Sequence, residues 1–339
     1  MQPIRFTPWL REMVWGGEKI APFKGVETAQ ARIGESWEIS GVPGHLSTVA
    51  EGPDKGLTIQ QLIARDKGKL VGEAVYARYG DEFPLLVKFI DAKSDLSIQV
   101  HPDDAMARQL YGPQAKGKTE MWYVIGADEG ACLLSGLSEP ITPAQYETRI
   151  AEGSITDVLA RHEIHPGDVY FLPAGRIHAI GAGSFIAEIQ QTSDYTYRIF
   201  DYNRPGLDGK PRELHTELAK QAIDYTVYPD YKTAYEPAKD REVEVVRCPY
   251  FTTSVLDLDA PLTKPLEGLD SFVVLVCVEG SGTLADGEPV FDESGRRGPT
   301  KGHLLNLRQG ETVLIPATST GITLTPDAGG MKLVTSWID

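Results

Sequence analysis

Cysteine is scarce: Cys132, Cys248 and Cys277 are scattered through 339 positions, with no close pairing. That argues against a disulfide framework and reads as free thiols, two of them in apolar strand-like runs, in a reducing cytoplasm. Long apolar runs are missing too, since none approaches the roughly 20 residues that span a bilayer. The opening MQPIRFTPWLREMVWGG has no basic segment followed by an apolar one, so no export signal is expected. Positive charge is in deficit, 33 Lys and Arg against 48 Asp and Glu, for a net −15. Such a balance argues against nucleic acid or an anionic membrane as partner. It leaves room for a small anionic substrate, because a few clustered cations reverse the potential inside one pocket. Whether the chain is a monomer or a homodimer stays open.

Long helical patterns are also few. Thr58 with Gln61 spells a capping box for a helix over Leu57–Asp66, and Gly72–Tyr79 continues it. Helix starts are expected after Pro102, at Thr142 and at Ser154, and Glu213–Ile223 has apolar residues at helical spacing. The rest reads as short strands punctuated by Gly, Pro and Asp: Phe83–Ile90, Leu96–Val100, Met121–Ile125, Val169–Leu172, Phe185–Gln190 and Tyr195–Phe200. The last hundred residues continue in the same style, over Val243–Arg247, Phe251–Leu258, Phe272–Val278, His303–Leu307, Thr312–Ile315 and Gly321–Leu324. The expected fold is mainly β: two jelly-roll β-sandwich domains, with a few short helices in the N-terminal part. Pro229–Lys239, polar and with two prolines, divides a domain 1–230 from a domain 240–339.

An internal repeat supports two related sandwiches. Gly167-Asp-Val-Tyr-Phe-Leu-Pro-Ala174 aligns without gaps to Gly310-Glu-Thr-Val-Leu-Ile-Pro-Ala317, and in that register His178 falls opposite Gly321. One sandwich therefore carries a histidine at that position and the other carries none.

His101, Glu120 and His178 are the candidate metal ligands. Two imidazoles and one carboxylate leave coordination positions open, which suits catalysis better than a closed structural site. In Gln99-Val100-His101 the two polar side chains share one strand face. Glu120 and His178 each open a further strand, so three strands of one sheet are expected to bring the ligands to a barrel mouth. His45 is a possible rim residue; His162, His165, His215 and His303 show no partner pattern.

A second constellation is basic. Lys88 lies in the apolar strand Leu85–Ile90, Lys118 precedes Glu120 by two on the same face, and Arg198 and Arg204 follow in Tyr197-Arg-Ile-Phe-Asp-Tyr-Asn-Arg204. Cations beside a metal point to a phosphorylated substrate with vicinal oxygens. Glu188, on a half-buried strand, is a candidate proton shuttle.

Together these motifs resemble type I mannose-6-phosphate isomerases (phosphomannose isomerases) of the cupin superfamily, in their short bacterial form. The resemblance rests on Gly167, Pro173, Gly175 and His178, on Gln99-Val-His-Pro102, on Lys118-Thr-Glu-Met121, on the Tyr197–Arg204 segment and on Val14-Trp-Gly-Gly17, and covers residues 5 to 215. It implies two cupin domains, the second degenerate, and one zinc ion on His101, Glu120 and His178 with Gln99 as a possible fourth ligand. It also implies an active-site role for Arg198, proton or substrate handling by Lys118 and Glu188, and a pocket position for Ser97. Interconversion of mannose 6-phosphate and fructose 6-phosphate is the implied reaction. Rival readings are a sister sugar-phosphate isomerase or epimerase, a non-haem iron oxygenase and a non-catalytic sugar-phosphate sensor.

Overall fold

The computed structural model describes residues 1–288 and 301–339. Three antiparallel sheets dominate it. A six-stranded sheet runs in the order Val169–Leu172, Glu120–Ala127, Ser184–Gln191, Leu85–Asp91, Ile33–Ser40, Trp9–Gly17. Facing it, a five-stranded sheet runs Tyr197–Phe200, Ile98–Val100, His178–Ile180, Cys132–Leu137, Leu159–Glu163. No helix among the described residues is long and apolar enough to cross a membrane.

The two-residue period of a strand sorts the side chains of these sheets. Along Leu85–Asp91, odd positions Leu85, Val87 and Phe89 enter the core behind the six-stranded sheet, while Ile90 enters the core between the sheets. The same parity holds next door, where Met121 and Tyr123 point back and Trp122 and Val124 point in. On the facing sheet, Ile98, Val100, Ile177, Ala179, Tyr197 and Ile199 pack outward under the helices Pro143–Glu152 and Thr216–Ala222. Lys88, Gln99, Glu120, His178, Glu188 and Arg198 thus occupy inward positions of two facing sheets.

The capping-box helix forms as Ile59–Asp66: Gln61 N–H donates to Thr58 Oγ1, and Thr58 N–H donates back to Gln61 Oε1. It buries Ile59, Leu62 and Ile63 completely. Two expectations shift. Ser154 opens only a single 3-10 turn, Ile155–Val158, which runs straight into the strand Leu159–Glu163. The helix expected from Glu213 begins at Thr216, because residues 213–215 are bonded back to Arg198 instead.

The C-terminal half forms one nine-stranded sheet built on two long strands, Val273–Glu288 and Gly321–Trp337, each continuing well past the short runs expected there. Gly167 and Gly310 both take positive φ, +93° and +81°, so the aligned repeats share the same left-handed turn before their strands. Gly321 then opens a strand, as His178 does. The N-terminal strand Ile4–Thr7 crosses over to complete this sheet, with Ile4 opposite Leu314 and Arg5 opposite Val313.

Candidate active site

Cross-strand register builds the site as two facing ranks. On the five-stranded sheet His178 lies directly opposite Ser135 on one side and Gln99 on the other, and Gln99 lies opposite Arg198. On the six-stranded sheet Glu188 lies opposite Trp122 and Lys88, and Lys88 lies opposite Trp37. Glu120 comes from this second sheet. The ligand candidates therefore meet across two sheets, which corrects the expected single-sheet origin: the sandwich closes so that inward positions of both sheets share one interior.

His101, Glu120 and His178 offer ligand atoms that all lie within 4.8 Å of one another, and all three residues are buried. Among the described residues this is the only such group. His101 Nδ1 is 2.9 Å from the Tyr195 carbonyl and His178 Nδ1 is 2.7 Å from the Arg176 carbonyl. Each Nδ1 must carry the proton to donate to a carbonyl, so both Nε2 lone pairs face inward. They reach Glu120 Oε2 and Oε1 at 3.4 and 3.3 Å. Glu120 is fully buried, and neither of its oxygens has a hydrogen-bond partner of good geometry. The Lys118 ammonium meets part of its charge, and a buried carboxylate beside two imidazole lone pairs is a donor set that fits a metal cation. Gln99 turns its amide nitrogen toward His178 Nε2 at 3.3 Å, so ligation by Gln99 requires an amide flip that brings Oε1 inward.

The electrostatics keep the donors ready. Burial, then the Lys118 ammonium, pushes His101 down to about 4, and burial also lowers His178. Burial alone would raise Glu120, but Lys118 and the two histidines outweigh it and hold the carboxyl well below its usual range. Both imidazoles stay neutral and the carboxyl stays ionised near neutral pH, the protonation states that metal binding needs. Lys118 Nζ sits 2.7 Å from Glu120 Oε2 and 3.0 Å from His101 Nε2.

A cavity of about 240 Å³ opens along the two ranks, lined among others by Ser97, Gln99, Lys118, Glu188 and Arg198. Its floor is an ion-pair chain. Lys88 Nζ is 2.7 Å from Glu188 Oε1, while Trp122 Nε1 donates to Glu188 Oε2 at 2.9 Å. Glu35, which the sequence reading did not single out, accepts from Arg11 at 2.7 Å and from Trp37 Nε1 at 2.8 Å. Burial works against the Glu35 charge, but Lys88, Arg11 and the Trp37 N–H win and hold its carboxyl below the ordinary value. Burial would likewise strip the Lys88 proton, and the Glu188 and Glu35 carboxylates reverse that, holding the ammonium above its usual range.

Three assignments change. Arg204 does not line the cavity; it turns back onto Asp201, with Nη2 2.9 Å from Oδ1, and Arg212 lines the cavity instead. His215, which shows no partner pattern in the sequence, lines the cavity, and its Nδ1 accepts from the Arg198 backbone N–H. His45 rims a separate hollow of about 270 Å³, where it stacks on Trp9 at a 3.9 Å centroid separation. A larger hollow, about 430 Å³, lies between residues 1–5, 49–54 and 303–305 and touches none of these groups.

Fold and site together define a cupin-type β-sandwich with a buried candidate metal centre, joined to a cation-lined cavity through Gln99 and Lys118. The family profile of the phosphomannose isomerase type I catalytic domain matches residues 4–132. The mannose-6-phosphate isomerase ManA of Bacillus subtilis is 34% identical over 292 residues, covering 86% of this chain and 90% of that protein. A mannose-6-phosphate isomerase of Streptococcus mutans is 38% identical over 223 residues, covering 66% of this chain and 67% of that protein. The crystal structure of the Bacillus subtilis mannose 6-phosphate isomerase superposes with a TM-score of 0.84 at 32% identity, covering 99% of both chains. The chain belongs to the type I mannose-6-phosphate isomerase family.

Proposed function

We propose that this protein is a metal-dependent aldose–ketose isomerase that interconverts D-mannose 6-phosphate and D-fructose 6-phosphate through a cis-enediolate. The observation that carries this reading is the neutral-imidazole and carboxylate triad, linked through Lys118 to a cavity whose walls also carry Arg198 and Lys88. His101, Glu120 and His178, with Gln99 once its amide is flipped, would hold a zinc ion, which when bound would supply Lewis-acid stabilisation of negative charge on vicinal oxygens.

The protein's own groups account for the remaining steps. In the open-chain sugar one proton leaves C2 and returns to C1 on the same face, which a single mobile group can perform. We assign it to Lys118, whose Nζ stands at the ligand cluster and which, in its neutral amine form, would take the C2 proton and return it to C1. Glu188 is less suited, because Lys88 and Trp122 hold its two oxygens. Its part, with Lys88, is to fix a charged floor under the substrate hydroxyls. Arg198, opposite Gln99, places positive charge where the enediolate develops. Ser97 contributes a hydroxyl to the wall, and Arg204 serves Asp201 rather than the substrate. The chemistry belongs to residues 1–230; residues 240–339 form a second cupin-like unit with Gly321 at the ligand position.

The test is a coupled assay for fructose 6-phosphate formation, run with and without chelator, on protein whose metal content has been measured. Zinc-dependent turnover is expected. No turnover, or turnover indifferent to chelation, overturns the reading, and iron with dioxygen uptake points to oxygenase chemistry instead.

A further inference from the structure

The sugar-phosphate reading leaves the phosphate without an assigned partner, and the far end of the cavity supplies one. After the strand Tyr197–Phe200 the chain makes an excursion that returns on itself. Tyr202 and Asn203 take positive φ, 55° and 52°, Pro205 bridges to Pro211, and Gly206 N–H donates to the Lys210 carbonyl. The returning strand is then fastened to Arg198 twice: His215 N–H donates to the Arg198 carbonyl at 2.7 Å, and Arg198 Nη1 donates to the Glu213 carbonyl at 2.9 Å. Immediately before these anchors stands Arg212, which lines the cavity.

Arg212 is held by one edge only. Nε and Nη2 grip Asp201 Oδ2 and Oδ1 at 2.7 and 2.5 Å, so the fork on that side is taken and Nη1 lies outside it. Asp201 is 5% exposed and shared with Arg204, whose Nε donates to Oδ1 at 3.0 Å. Burial resists its charge, and the two guanidiniums overcome that and hold its carboxyl below the usual value. Arg198 adds a third guanidinium, with its Nε buried and unpartnered, and burial together with Arg212 lowers its proton affinity. Arg204 and Arg212 against the one Asp201 carboxylate leave +1 at this end, beside the Arg198 cation that faces the enediolate. Glu213, the other carboxylate acting on Arg198, is 84% exposed and screened by water, and among the other cavity carboxylates Glu35 and Glu188 are held by Arg11 and Lys88. In a chain of net −15 this is a local reversal of sign. A phosphate monoester carries about −1.5 to −2 at pH 7 and suits the planar guanidinium fork.

Register also places this end correctly. His178, Gln99 and Arg198 sit on adjacent strands, so Arg198 lies about 10 Å from the His178 strand at the usual inter-strand spacing. A chain with its reacting oxygens at the metal end extends along the rank toward Arg212.

Resting on the isomerase reading, we infer that Arg212 is the phosphate-binding residue, presented by the 202–215 excursion and oriented by Asp201. The probe is inorganic phosphate as a competitive inhibitor, alongside KM for mannose 6-phosphate, in the metal-loaded full chain. Arg212→Gln is expected to raise KM and the phosphate inhibition constant together by about 10- to 100-fold, with smaller loss of kcat. Arg212→Lys keeps the charge without the fork and should fall between. Metal content and unfolding midpoint, measured for each variant, identify a folded protein. Unchanged KM and unchanged phosphate inhibition in folded Arg212→Gln overturn the assignment while leaving the isomerase intact. Should the wild-type chain not isomerise mannose 6-phosphate yet bind phosphate through Arg212, the activity reading fails and the phosphate site stands.

Discussion

At the scale of single residues, the site depends on keeping two imidazoles neutral inside a buried, charged interior. Each folded histidine binds its proton more weakly than the ordinary value near 6.5, His101 only at about 4. Between these limits the unfolded chain binds more protons than the folded one, so stability rises with pH there, by up to about 1.4 kcal/mol per pH unit per histidine. The paired carboxylates Glu35 and Asp201, both lowered, add their losses only below the carboxylate range. Metal-stripped protein should therefore lose unfolding free energy steadily from pH 6.5 to 4.5, as urea titrations at several pH values would measure. A flat profile over that window would mean the imidazoles are not desolvated. His101, Glu120 and His178 were legible in the sequence because each sits in a fixed-spacing motif on a strand or its turn. Arg212 and His215 were not. They lie in an aperiodic loop, and only its return onto Asp201 and Arg198 turns them toward the cavity.

At the scale of elements, the polar site explains which strands could be read. Leu85–Asp91, Glu120–Ala127 and Val169–Leu172 are apolar enough to declare themselves. Trp9–Gly17 and Ile33–Ser40 were missed, because bulges interrupt their pairing and charged residues, Arg11 and Glu35, replace apolar ones on the inward face. The other face of Ile33–Ser40 carries Glu38, buried to 4% exposure and met by Lys24 Nζ at 2.7 Å, which also donates to the Gly310 carbonyl. That single ammonium ties the helix Ile20–Lys24 to the catalytic sheet and to the turn of the C-terminal repeat. Lys24→Met strands a buried carboxylate and should cost about 3–5 kcal/mol in denaturant unfolding. Adding Glu38→Leu should recover much of that loss; a single-variant cost near zero would mean water reaches Glu38.

At the scale of the whole molecule, the two halves named by the linker are packed as one body. Leu85, Val87 and Phe89 on the back of the catalytic sheet belong to the same core as Val274, Val276 and Val334 of the C-terminal sheet. The aligned repeat marks one strand in each half, Val169–Leu172 and Thr312–Ile315, each entered through a left-handed glycine. That the first strand of the chain inserts into the C-terminal sheet, between Thr312–Ile315 and Thr48–Val49, was hidden, because a strand of four residues is too short for its periodicity to be read. Ile4 and Phe6 are both 7% exposed, and burying two such side chains contributes about 3–6 kcal/mol. Deleting residues 1–7 should lower the unfolding midpoint accordingly. Metal content at 25 °C should persist, since the three ligand candidates lie in the other two sheets and their turns. Hydrogen exchange gives the sharper test. If the core is shared, amides of Val273–Val278 and of Met121–Val124 open with the same free energy in the intact chain, and both lose protection equally on deletion. Loss confined to the C-terminal strands would show instead that the catalytic sandwich stands alone, leaving the second unit as an appendage with its own stability.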